Sequence, residues 1–225
     1  MSGTLYVVAT PIGHLGDLSQ RVIETLKNVD YILAEDTRVT LTILRHAGIE
    51  KRLISYSEHS SDKKDEVILT NLKEGESYAL VSDAGTPAVS DPGARLVGLA
   101  IKNEIPVIPI PGPSAVTSIV SVFGMPSNSF HFWGFFPQKK IRQSELLQHF
   151  EDVPGIHVFF ESPFRIEKTL RDVFGDRVDF HMVLGREMTK KFESYYRGIP
   201  AEVLAALKSD QIKGEFCVAV MRMGE

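Results

Sequence analysis

Cysteine is almost absent from this chain, neither sign of charge dominates, and no long apolar run occurs. One cysteine among 225 residues, Cys217, rules out an internal disulfide and a thiolate cluster for zinc or iron–sulfur. It lies in FCVAVM, where a buried apolar role is expected. The seven histidines, at 14, 46, 59, 131, 149, 157 and 181, form no HExxH or other close ligand pair, so no metal is expected. A formal charge of −4 excludes general attraction to nucleic acid and leaves only a local basic patch for such contact. No apolar stretch approaches the roughly 18 residues that cross a bilayer. MSGTLYVVAT lacks the basic start and apolar core of a signal peptide, so the expectation is a cytoplasmic protein with no membrane segment. Hydrophobic residues at 43% and charged residues at 24% are ordinary for a globular protein.

What is present is an alternation. Short runs rich in Val, Ile, Tyr and Phe alternate with helical periodicity, as in βα units around a largely parallel sheet. Strands are expected at LYVVAT, YILAE, LISYS, YALVSD and PVIPI, with helices near 18–28, 37–47, 61–74 and 93–103, opened by capping residues such as Asp17 or Thr37. PIPGPSA, residues 109–115, has the composition of a stiff hinge. After it come a helix at 113–123, the strand segments FHFWGFF, HVFFES, DFHMVLGRE, FESYYRG and GEFCVAVM, and helices near 141–150, 165–174 and 201–209. Too few residues separate 180–188 from 192–198 for a crossover, so these two strands should pair antiparallel. The expected fold is α/β in two domains. Residues 1–112 form a mainly parallel five-stranded sheet and 113–225 a mixed sheet.

Three Pro/Gly-rich loops, TPIGHLGD (10–17), SDAGTPAVSDPG (82–93) and PIPGPSA, each follow a predicted parallel strand, at the edge where open α/β sheets bind ligands. Gly and Pro keep such backbone rigid and uncluttered, so its N–H and C=O groups can serve a ligand. GxGxxG and GxxxxGK[ST] are both missing. Asp83 and Asp91 suit a cation or a ribose hydroxyl. Asp91, just before Pro92 and Gly93, equally suits a turn.

The blocks TPIGHLGDLSQR, AEDTRVT, VSDAGTPAVSDPG, PIPGPSA, GFFP, FFESPFR and REMTKKFES, in this order over nearly the whole chain, resemble the small-subunit ribosomal RNA ribose methyltransferases of the tetrapyrrole-methylase-like superfamily. The resemblance implies S-adenosyl-L-methionine in a cleft between the two domains, a homodimer, and methylation of a cytidine 2′-hydroxyl in 16S ribosomal RNA. It places Pro11, Asp83, Ala84, Gly85, Thr86, Ser114 and Ala115 against the cofactor, joined by Phe160, Gly214 and Glu215 from the second domain. Porphyrinoid methyltransferases of the superfamily tend to carry a GDP-type loop in place of SDAGTPAVSDPG and lack EDTR. Many ribosomal members continue past the last strand, whereas this sequence stops at MRMGE.

A ribose hydroxyl needs activation, and Glu35, Asp36 and Lys190 are the candidates. Asp36 could equally cap a helix and pair with Arg38. Arg38, Lys139, Lys140, Arg142 and Arg186 are candidate RNA contacts: QKKIRQ brings three cations together, and 186–197 holds four cations against two anions. Phe132, Trp133, Phe135 and Phe136 are candidates to stack a base, although alternation along a strand makes most of them core. His59 is a further substrate-contact candidate. The rival readings are a methyltransferase for a porphyrinoid or other small acceptor, and a catalytically inactive RNA-binding module.

Overall fold

A computed structural model describes residues 2–58, 60–207 and 212–224. The chain divides into two compact units, Met1–Ser114 and Ala115–Glu225.

In the first unit, β1 (Leu5–Val8), β2 (Tyr31–Ala34), β3 (Leu53–Ser55), β4 (Tyr78–Val81) and β5 (Val107–Ile110) form one sheet in the order β3-β2-β4-β1-β5. Every pairing is parallel. The expected strands are all present, each shorter by a residue or two, at the carboxyl end in β1 to β4 and at Pro106 in β5. Pro109 is tolerated inside β5 because β5 is an edge strand, where a missing N–H interrupts no second ladder.

The helices are α1 (Gln20–Asn28), α2 (Thr37–His46), α3 (Asp62–Lys73) and α4 (Ala94–Lys102). Two of the expected caps are displaced. Asp17 belongs to a 3-10 turn, Leu15–Asp17, and the α1 cap is Ser19, whose Oγ accepts from Val22 N–H at 3.2 Å. Thr37 is the first helical residue of α2 and Asp36 is its cap. In both cases the side-chain oxygen lies one or two residues from the place that periodicity marks, an ordinary uncertainty in helix ends.

Val22, Leu26 and Leu44 of α1 and α2 pack in one cluster, Ile68, Leu72, Leu96 and Ala100 of α3 and α4 in another. The helices therefore cover opposite faces. From β2 the chain moves outward to β3, and from β4 it moves the other way to β5. With right-handed crossovers these opposite directions put a topological switch between β2 and β4.

The second unit has β6 (Phe130–Phe135), β7 (Ile156–Glu161), β8 (Phe180–Arg186), β9 (Ser194–Gly198) and β10 (Phe216–Arg222), in the order β6-β7-β10-β8-β9. β6 and β7 are parallel, β10 is antiparallel to both β7 and β8, and β8 and β9 pair antiparallel as their short connection requires. One face packs α6 (Lys140–Asp152), the segment beginning with α7 (Ile166–Thr169), and α8 (Pro200–Ala206) over Phe150, Phe159, Phe174 and Phe180. The other packs α5 (Ala115–Ser121) over Val183, Cys217 and Ala219. Cys217 is buried, as expected, and burial pushes its thiol well up from the ordinary value. Where one helix is expected over 165–174, α7 gives way to a π-helical turn, Leu170–Phe174, that ends at Gly175. The described part of the expected 201–209 helix ends at Ala206.

Candidate functional site

The switch between β2 and β4 is where the first unit concentrates carboxylates. β2 runs out into Glu35 and Asp36, and β4 into Ser82 and Asp83. Asp36 N–H donates to Asp83 Oδ1 at 3.0 Å, which ties the two strand ends together. The Asp36 carboxylate faces its own helix, accepting from Arg38 N–H at 2.8 Å and from Arg38 Nε at 3.0 and 3.1 Å. Those bonds hold it ionised, down to about 2. Glu35 behaves oppositely. Burial and the charge of Asp83 raise its proton affinity, further increased by Asp36 and only partly opposed by a backbone hydrogen bond. Asp91 is raised to about 6, first by burial, then by the charges of Glu35 and Asp83, against a hydrogen bond from Ser82. Its presence in the cluster was readable only as an Asp in a ligand loop, since the fold brings it back toward Ser82.

The loop from 82 to 93 is held rather than slack. Thr10 N–H donates to Gly85 O at 2.8 Å and Gly85 N–H returns the bond to Thr10 O at 3.1 Å, joining the loops after β1 and β4. Thr10 Oγ1 adds a bond to Ser82 O at 3.0 Å. Gly85 has φ of 77°, and two residues with side chains, Ala88 and Ser90, share φ of 65°. Such conformations cost about 1–3 kcal/mol each and persist where the surroundings impose them, commonly at ligand sites. From the neighbouring strand end, a Cβ on Gly112 would stand 3.0 Å from Ala9 Cβ, so the loop after β5 is also packed without spare room. Pro11 is buried, Ala84 is exposed, and Thr86 and Ser114 are half-buried. A cradle of close backbone with several carboxylates fits a small cationic ligand that carries hydroxyls. A cavity of about 230 Å³ lies elsewhere, at the amino ends of β1, β2 and β4, and is lined by Tyr6, Arg21, Glu24, Asn28 and Ser77, none of them a candidate.

In the second unit, the carboxyl ends of β6, β7 and β8 and the start of β10 fall on one sheet edge, because Phe216 pairs with both Glu161 and Arg186. That register brings Phe160, Gly214, Glu215, Arg186 and Lys190 together. Lys190 Nζ pairs with Glu187 Oε1 at 3.2 Å and Glu215 Oε2 at 3.0 Å. Burial disfavours its charge, but the two carboxylates prevail and hold the ammonium above its ordinary value. Glu187 also accepts from Glu215 N–H at 2.9 Å. At Gly214, with φ of 89°, a Cβ would stand 2.3 Å from Glu187 Oε1, so only glycine lets this knot close. Arg186 is spent on backbone, donating to Lys213 O at 2.9 Å and Phe192 O at 3.2 Å. Phe160 meets Phe132 and Phe135 edge-on at 5.0 and 5.6 Å. Lys139 caps α6 and Lys140 opens it; Arg142 pairs with Glu145 at 2.9 Å.

Of the four aromatic candidates, Phe136 is core and Trp133 donates to His157 Nδ1 at 3.1 Å beneath the surface, while Phe135 is exposed. Two buried networks were not singled out by sequence reasoning, although Glu161 and Arg165 of the first both lie within FFESPFR. Glu161 pairs with Arg165 at 2.6 Å and accepts from Thr169 Oγ1 at 2.7 Å; Asp65 accepts from Tyr56 at 2.8 Å and pairs with Arg95 at 2.9 Å. His59 lies outside the described residues.

Known structures place this architecture. A crystal structure of diphthine synthase superposes with a TM-score of 0.71 at 14% identity, covering 99% of this chain and 90% of that one. Uroporphyrin-III-C-methyltransferase from Thermus thermophilus gives 0.64 at 16%, covering 96% and 94%. The fold is thus one shared with proteins of otherwise distant sequence. Residues 4–203 match the family model described as Tetrapyrrole (Corrin/Porphyrin) Methylases. A protein named ribosomal RNA small subunit methyltransferase I from Halalkalibacterium halodurans is 44% identical over 99% of this chain and 77% of its own length. One of the same name from Thermotoga maritima is 43% identical over 97% and 98%. The chain belongs to the tetrapyrrole methylase family, among the proteins that carry that name.

Proposed function

We propose that the chain methylates small-subunit ribosomal RNA with S-adenosyl-L-methionine as donor, and that the acceptor is the 2′-hydroxyl of a cytidine in 16S RNA. The observation that carries the ribosomal RNA part of this reading is identity of 41–46%, along nearly the whole chain, to relatives named ribosomal RNA small subunit methyltransferase I; the donor and the ribose position rest on the family resemblance. On this reading Pro11, Asp83, Ala84, Gly85, Thr86 and Ser114 are cofactor contacts from the first unit. Ala115, Phe160, Gly214 and Glu215 are those proposed from the second. Bound adenosylmethionine supplies an electrophilic methyl group with a positive charge beside it, and the carboxylates and carbonyls of the first edge suit that charge.

Among the candidates for activating the hydroxyl, Glu35 is the best placed chemically. Its raised proton affinity brings it nearer the range in which a carboxylate takes a proton from a hydroxyl at neutral pH. Asp36, held near 2, is a positioning group for Arg38, and Lys190 remains an ammonium. Positioning and alignment of oxygen, methyl carbon and sulfur supply the rest. The protein is taken to act as a homodimer.

Incubation with methyl-labelled adenosylmethionine and small ribosomal subunits lacking ribose methylation, followed by nucleoside analysis, tests the whole. Label on 2′-O-methylcytidine is the expected result. Label on a base, or on an added porphyrinoid with none on RNA, would replace the acceptor.

A further inference from the structure

The second unit's edge carries groups that neither packing nor methyl transfer requires. Phe164, in the loop after β7, is 96% exposed, and Phe135 at the end of β6 and Phe192 between β8 and β9 are exposed by 61% and 63%. Large rings left in water at one sheet edge mark a contact surface. Cations lie among them. Lys139 and Lys140 are exposed at the start of α6, whose first turn holds no acid, so their charges oppose the helix dipole. Stability alone would favour acids there, and a polyanion lying on the edge reverses that preference. Lys191 Nζ stands 5.6 Å from the centroid of Phe192. Among the described residues, Glu187 and Glu215 of this edge are engaged with Lys190, and Glu193 with Thr189 N–H and Tyr195.

We infer that this edge is a stacking platform for unpaired nucleobases, with Phe164 and Phe192 taking base faces and Lys139, Lys140 and Lys191 taking phosphates. The inference rests on the RNA reading above and deepens it by specifying the form of RNA: a single strand or splayed-out nucleotides, not a duplex. An A-form duplex hides its base faces, whereas an exposed ring stacks on any unpaired base. The strands β6 and β8 stand three places apart in the sheet, about 14 Å at the usual strand spacing, a span for a few nucleotides. A second copy of the chain is the poorer occupant, because a two-fold contact would bring two copies of the same positively charged edge together.

The test is fluorescence titration of the full chain with a short mixed-sequence RNA carrying 2-aminopurine, single-stranded or annealed to its complement. The single strand is expected to bind more tightly and its fluorescence to be quenched on binding. Phe164→Ala should weaken single-strand binding roughly 5- to 100-fold with an unchanged salt slope, and Phe164→Tyr should restore it. Lys139→Ala with Lys140→Ala should instead flatten the salt dependence. Equal affinity of Phe164→Ala and the parent, a preference for duplex, or a change in oligomeric state on light scattering with no change in RNA binding would overturn the platform. Subunit methylation by the parent chain is measured alongside. Methylation with unaltered Phe164→Ala binding sinks the platform alone, whereas stacking without any methylation sinks the proposed activity and leaves the platform standing.

Discussion

At the ends of β2 and β4 the side chains are short and acidic, the loop is strained, and Glu35 and Asp91 are raised in proton affinity. Where β6, β7 and β8 end, the side chains are long, cationic or aromatic, and the carboxylates of Glu187 and Glu215 close around Lys190. The first edge crowds like charges that a cationic, hydroxyl-bearing ligand would relieve. The second leaves rings and positive charge in water for a large anionic partner. One chain thus offers two edges of opposite electrostatic character, which suits the proposed reaction between a sulfonium donor and a nucleic acid.

The largest test of this contrast is chemical. If the first edge supplies the proton acceptor, Glu35→Gln should lower turnover by about 10²- to 10⁴-fold with cofactor affinity largely kept, measured by single-turnover methyl transfer and by calorimetric titration. The parent rate should also fall on its acid side at a pH above the ordinary glutamate value, because the raised Glu35 must lose its proton to act. If Lys190→Ala produced the larger loss of rate while Glu35→Gln did not, the roles of the two edges would be exchanged.

Next come buried carboxylates, one in each unit. Glu161 relies on Arg165, so Arg165→Met should leave a buried charge uncompensated and cost about 3–5 kcal/mol in urea unfolding of the second unit. Asp65 keeps Arg95 when Tyr56→Phe removes one hydrogen bond, and that change should cost only about 1–3 kcal/mol in the first. Equal costs would mean that the two networks are not organised differently. Of similar size is Gly214→Ala, which forces φ of 89° on a residue with a Cβ and displaces Glu187; a loss of roughly 1–3 kcal/mol is expected, with melting temperature as the readout.

Much of this is legible in the sequence. Strand periodicity and Pro/Gly punctuation located all five strands of the first sheet, and the parallel arrangement alone put three loops at one edge. The pairing of β8 with β9 followed from the shortness of their connection. Less was legible where contact depends on register. Nothing local says that Asp36 N–H will meet Asp83, or that Phe216 will align Glu161 with Arg186. Exposure was harder still: Phe135 and Phe136 are neighbours in sequence, and only the sheet decides that one is 61% exposed and the other 1%. Phe164 sits in FFESPFR, where a motif-based reading looks at Phe160 and passes over it.

The finest separation between the units is in their response to mild acid. Glu35 and Asp91 have folded-state proton affinities above their ordinary values, Asp91 at about 6, so the folded first unit binds the extra protons and gains stability as pH falls from 6 toward 4.5. His157 is the reverse. It is fully buried, its Nδ1 accepts from Trp133 and its Nε2 lies 2.9 Å from Val153 O, while burial, with His131 and His149 adding to it, depresses its affinity below 6.5. The unfolded chain then takes the proton first, so the second unit loses stability as pH falls from 6.5 toward the folded value. Asp36 and Asp179, both lowered to about 2, respond only below about 4 and leave this window clear. Hydrogen exchange at pH 6.5 and 5, corrected for intrinsic rates, should show protection in β4 holding or rising while that in β7 declines, and His157→Gln should blunt the decline. A parallel loss in both strands would show that acid acts on the chain as a whole and that the two units do not titrate with opposite sign.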